Sequence, residues 1–112
     1  VAIVRHGDVR LVLLEGPLDV YTVPILRRRT RARPAGDGRL VVDLTGVTLL
    51  DSSGLSALLQ LRNHAAHDRP QLIGLICPPR LRRLFEIGGL LQAFAFGEDL
   101  PAVLAAMEAG NA

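Results

Sequence analysis

Residues 39–44, Arg-Leu-Val-Val-Asp-Leu, are mostly apolar, with Leu40, Val41 and Val42 in succession and no alternation with polar residues among them. A strand with one face in water alternates polar and apolar residues. A strand that does not alternate must be covered on both faces, and such strands belong mostly to parallel sheets carrying helices. The stretch Gln71 to Ile76 has the same character. Each of these runs is followed by apolar residues at helical spacing. After the first come Leu55, Leu58, Leu59, Leu61, Ala65 and Ala66; after the second come Leu81, Leu84, Phe85 and Ile87, read as facing inward. This repetition of strand and helix constrains the fold more than any other feature of the chain.

The remaining elements follow from turn chemistry. Val1 to Arg5 and Val9 to Leu14 flank His6-Gly7-Asp8 and read as a β-hairpin. Glu15-Gly16-Pro17-Leu18-Asp19 is expected to break the second strand, with Asp19 as the N-cap of a helix to about Arg33. Pro24 near its start is tolerated only if that helix begins late. Pro34 to Gly38 is a loop, and Thr45-Gly46-Val47-Thr48 is expected to be a turn. Asp68-Arg69-Pro70 ends the next helix, Pro78-Pro79 opens another, and Gly88-Gly89 stops it. Phe94-Ala95-Phe96 reads as a short strand, and Pro101 to about Glu108 as a last helix. The expected order is β-β-α-β-α-β-α-β-α. It describes an α/β fold: a mixed, mostly parallel sheet of four to five strands with about four helices, in one domain over residues 1–112.

Composition narrows the function classes. Of 112 residues, 49% are hydrophobic and 21% charged, which suits a globular domain. No apolar run approaches the ~18 residues that span a bilayer. No basic-then-apolar leader opens the chain. Cys77 is the one cysteine, so no internal disulfide is expected; with His6, His64 and His67 scattered, neither is a metal site or a cofactor. A cytoplasmic setting is expected. All thirteen basic residues are Arg, five of them at positions 27, 28, 29, 31 and 33, and the formal net charge is +2. The cluster reads as a solvated helix C-terminus. With one Tyr, three Phe and no Trp, stacking residues for nucleic acid are scarce.

The chemistry concentrates in Asp51-Ser52-Ser53-Gly54, at the start of the Leu-rich helix. Backbone N–H groups point outward at such a place, and the dipole favours negative charge. One capping residue suffices there, yet three stand in a row. Gly54 is a poor helix former, costing up to ~1 kcal/mol. Its expected benefit is steric, clearing space beside Ser53 for another backbone or a kinase. Asp43 interrupts its strand and is expected to hydrogen-bond nearby. A serine hydrolase is a poor alternative. Gly-x-Ser-x-Gly is absent, and His64 and His67 fall more than ~15 Å along the same helix at 1.5 Å per residue.

The stretch from Val41 through Gly46-Val47 to Asp51-Ser52-Ser53-Gly54-Leu55 resembles the signature of STAS domains, the sulfate-transporter and anti-sigma factor antagonist domains. Gly16-Pro17-Leu18-Asp19 resembles the family's Gly-Glu-Leu-Asp turn. Leu72 to Ile76 with Pro78 to Leu84 resembles its strand–Pro–helix passage. Phe85 to Leu90 resembles its Phe-x-x-x-Gly-Leu ending. The resemblance runs through nearly the whole chain in order.

The resemblance to the bacterial antagonists implies a phosphoprotein that is not an enzyme. Its partner would be an anti-sigma factor that is also a serine kinase of the histidine-kinase-like ATPase fold. Unphosphorylated, the domain would bind that kinase and free a sigma factor. Phosphorylation at Ser53 would end binding, and a serine phosphatase would restore it, without direct contact to nucleic acid or membrane. Asp19, Tyr21, Asp51, Ser52, Ser53 and Gly54 would form the partner-binding edge. Pro17 and Tyr21 depart from the usual acidic and small residues. A STAS domain of a transporter tail or of a multi-subunit stress-signalling complex, or a purine-nucleotide binder, is the alternative.

Overall fold

The computed structural model describes residues 1–31, 39–65 and 73–110. The chain forms β1 (Ala2–His6), β2 (Val9–Leu18), α1 (Val23–Arg31), β3 (Arg39–Leu50), α2 (Ser52–Ala65), β4 (Ile73–Ile76), α3 (Pro79–Ile87), β5 (Ala95–Gly97) and α4 (Leu100–Gly110). This is the expected order. The loop at Pro34 to Gly38, Arg33, His67, the stop at Asp68-Arg69-Pro70 and the strand start at Gln71-Leu72 lie outside the described residues.

The five strands form one mixed sheet in the order β1-β2-β3-β4-β5. β1 pairs antiparallel with β2, and the other neighbours are parallel. The strand order advances in one direction. Right-handed crossovers then place α1, α2 and α3 on the same face. Leu26 of α1, Leu58 of α2, and Leu81 and Phe85 of α3 pack there with Val12, Leu14, Leu40, Val42, Leu44 and Leu75. Phe85, Phe94 and Phe96 meet edge to face at centroid separations of 5.2–6.1 Å.

The other face is left to α4. Val103 and Met107 pack with Val9, Val41 and Ile76. They lie over Gly74, where a side chain would occupy the space of Val103 Cγ1 and Met107 Sδ. Both parities of β3 are therefore buried, as its composition requires.

Three expectations need correction. β2 does not break at Glu15, and β3 does not turn at Thr45. Both run on, paired from Glu15↔Gly46 to Leu18↔Leu50, with register shifts at Leu13/Glu15 and Gly16/Pro17. The Gly and Pro residues that suggested turns are absorbed as irregularities of the ladder. Asp43 takes part: its carboxylate accepts the Thr45 N–H at 2.9 Å, the structural hydrogen bond expected of it. The third correction is Ile87, which is 70% exposed because it lies at the end of α3, off the stripe of Leu81 and Phe85. α3 closes as expected of a glycine end. Gly89 at φ +72° lets its N–H reach Glu86 O and the Leu90 N–H reach Phe85 O.

Cys77 is buried at the end of β4. Burial pushes its thiol from 9.0 to about 11, against the opposing pull of Arg82 and Arg80. A two-unit rise leaves roughly a hundredfold less thiolate at pH 8. Ellman's reagent at pH 8 should therefore label the native chain at least about a hundredfold more slowly than the urea-unfolded chain. Equal rates would contradict this burial.

Candidate functional site

Beyond Leu13 the antiparallel partner β1 has ended, since Ala2↔Leu13 is its last pair. Beyond Asp43 the partner β4 has ended as well, at Asp43↔Ile76. Glu15–Leu18 and Gly46–Leu50 thus project as a two-stranded parallel ribbon with two open edges. Leu18 and Leu50 finish side by side. Asp19 follows one and Asp51 the other, so two helical segments start at neighbouring points on one end of the sheet.

Each start is capped by its aspartate. The Asp19 carboxylate accepts the N–H groups of Tyr21 at 3.0 Å and Thr22 at 3.1 Å, and Thr22 Oγ1 accepts the Asp19 N–H at 3.0 Å. This reciprocal cap governs one turn, with Val23 N–H on Asp19 O at 2.9 Å. The regular helix begins only at Val23, which is the late start that Pro24 demands. Asp51 Oδ1 accepts the Gly54 N–H at 3.0 Å, and Asp51 O accepts the Leu55 N–H at 3.0 Å. Asp51 is therefore the cap. Ser52 is exposed and Ser53 half-buried in the first turn of α2, and neither hydroxyl is needed for capping. Asp51→Ala should cost about 1 kcal/mol in urea unfolding. A change under ~0.3 kcal/mol would show that the cap carries no weight.

Gly54 is buried. A Cβ there would stand 2.5 Å from the Leu18 carbonyl oxygen and 2.7 Å from Leu50 Cδ1. The backbone that uses the space beside Ser53 is the domain's own. The residues expected at the partner edge are thereby brought together: Asp19 and Tyr21 from one strand end, and Asp51, Ser52, Ser53 and Gly54 from the other, joined through Leu18 over Gly54. Around them the surface is apolar, with Tyr21 84%, Val20 60% and Leu49 54% exposed.

Two contributors escaped the sequence reading. Thr22 closes the cap and donates its hydroxyl to Pro17 O at 2.8 Å, sealing the outer edge of the ribbon. Its signal was available in the Asp-x-x-Thr spacing of residues 19–22. Arg80, from the first turn of α3, seals the other edge. Its guanidinium donates to Val47 O at 2.7 Å and Thr45 O at 2.8 Å. A cation in the first turn of a helix opposes the dipole, and that anomaly is its only signal in the sequence. The arginine cluster contributes less. Arg27 bonds Gln60 Oε1 of α2 at 2.7 Å, and Arg28 and Arg29 are exposed. Among the described residues no group of His, Cys, Asp and Glu could hold a metal ion. No helix there is long and apolar enough to cross a membrane.

A sheet of this order, three helices on one face and a capped Asp-Ser-Ser-Gly start at its strand ends define a known class of domain. The chain belongs to the STAS domain family, whose model matches residues 1–102. Within that family it is similar to proteins named for sigma-factor control. It is 34% identical over 88 residues to the anti-sigma-B factor antagonist of Staphylococcus epidermidis, covering 78% of this chain and 82% of that one. A crystal structure of an anti-sigma factor antagonist from Mycobacterium paratuberculosis superposes with TM-score 0.82 at 28% identity, covering 96% of this chain and 92% of that one. A STAS-domain containing protein of Pseudomonas aeruginosa is 43% identical over 56 residues, which span 50% of this chain and only 55% of that protein.

Proposed function

We propose that this domain is an anti-sigma factor antagonist, a protein-binding switch operated by phosphorylation of Ser53. Unphosphorylated, it binds an anti-sigma factor that is a serine kinase and so frees a sigma factor in the cytoplasm. Phosphate on Ser53 ends the binding, and a serine phosphatase restores it. The domain is substrate rather than enzyme. The observation that carries this reading is the division of work at α2: Asp51 caps the helix, which leaves the Ser53 hydroxyl without a structural duty at the tip of the ribbon. The likeness to antagonists supports it.

The physical consequences are consistent. A phosphate brings about −1.5 to −2 charges and strong acceptor oxygens. Beside the first N–H groups of α2 that charge is locally favourable, so the fold should persist. Among Val20, Tyr21 and Leu49 it opposes docking, because the partner must then cover a charge in an apolar contact. No internal rearrangement is required.

Incubation with ATP and the cognate anti-sigma kinase should place one phosphate on Ser53, mapped by mass spectrometry. ATP alone should place none. Phosphate solely on another residue, or none with the kinase, would overturn the reading.

A further inference from the structure

The projecting ribbon raises the question of what fixes its position. Its inner pairing holds β2 to β3, but among the described residues no strand flanks either side. On the β3 side the carbonyls of Thr45 and Val47 lie past the end of β4, and one guanidinium takes both. These carbonyls lie on the stretch that leads through Leu49 and Leu50 into Asp51. Arg80 itself is anchored by α3, whose next residue, Leu81, is buried in the core.

We propose that Arg80 is a positioning residue for the switch: its two hydrogen bonds set the β3 extension, and with it the presentation of Asp51, Ser52 and Ser53 to the partner. The role of the switch itself rests on the function proposed above. Removing the guanidinium leaves two carbonyls to water, which can satisfy them, so the fold survives. What is lost is the single position of the ribbon. A partner then finds the competent arrangement only part of the time, and its apparent affinity falls in proportion to that fraction. Once the partner is bound, the arrangement is restored and the chemical step is unchanged. The effect belongs to KM for the domain as kinase substrate and not to kcat.

Arg80→Ala and Arg80→Lys in the full chain test this. Lys keeps the charge but is a point donor that cannot reproduce the planar fork across two carbonyls. Hydrogen exchange should rise about tenfold over residues 47–53 in Arg80→Ala and stay unchanged over residues 40–42, whose amides are held by both flanking strands. With ATP and the kinase that phosphorylates the wild-type chain, KM should rise about tenfold with kcat within about twofold, and Lys should not rescue it. Unchanged exchange, full rescue by Lys, or a fall in kcat at constant KM would each overturn the proposal. If the wild-type chain takes no phosphate, the proposed function fails, and the exchange experiment alone then decides whether Arg80 positions the ribbon.

Discussion

Gly54→Ala should destabilise the domain by about 1–3 kcal/mol, although alanine is the better helix former. Two effects compete at this position. In an open helix the exchange would gain up to ~1 kcal/mol of propensity. Here the added methyl meets the Leu18 carbonyl oxygen at 2.5 Å and Leu50 Cδ1 at 2.7 Å. The leucine side chain can turn aside, but the carbonyl is backbone. It is held by the pairing of Leu18 with Leu50 and by the capped turn at Asp19. The start of α2 must therefore move, and steric cost outweighs propensity. Urea unfolding measures the net sign. A variant as stable as the parent, or more stable, would show that the two segments are not in this contact. Because the shift displaces Ser53 with the helix, kinase-dependent phosphorylation should fall as well.

Ser53→Asp should weaken binding to the anti-sigma factor by about a hundredfold, equivalent to ~2.7 kcal/mol, while its thermal midpoint stays within a few degrees of wild type. The introduced carboxylate lies in the first turn of α2, where the helix favours it, so the free domain should tolerate the change. In the complex the same charge must be covered among exposed Val20, Tyr21 and Leu49. Ser53→Ala is the control: it should bind within a few-fold of wild type and accept no phosphate. Calorimetric titration of the three proteins against one preparation of the anti-sigma factor gives the comparison. Equal affinities for Ser53→Asp and wild type would argue that Ser53 is not at the centre of the contact.

Much of the fold was legible because its parts report locally. Unalternating strands at Leu40 and Ile73, leucines at helical spacing after Gly54, and aspartates and prolines at helix starts all act within a few residues. The two misread turns have one cause. Gly16, Pro17, Thr45 and Gly46 carry turn chemistry, and nothing local says that two such irregular segments stabilise each other as a ribbon when laid side by side. That decision is tertiary. For the same reason Asp51 could be recognised as a capping residue, whereas Arg80 could not be linked to Val47, a residue 33 positions away. Gly54 was legible as a demand for space, but its occupant, Leu18, became visible only with the fold.

The sealed edges of the ribbon also bear on solubility. A short pair of strands reaching past its sheet, with bare apolar side chains at its tip, invites pairing with the same segment of another molecule. Here Pro17 has no hydrogen to offer, its carbonyl is taken by Thr22, and the opposite carbonyls are taken by Arg80. On the function proposed above, the tip would offer Val20, Tyr21 and Leu49 to a partner while three of the carbonyls along the ribbon are already occupied, leaving fewer places for an added strand to pair.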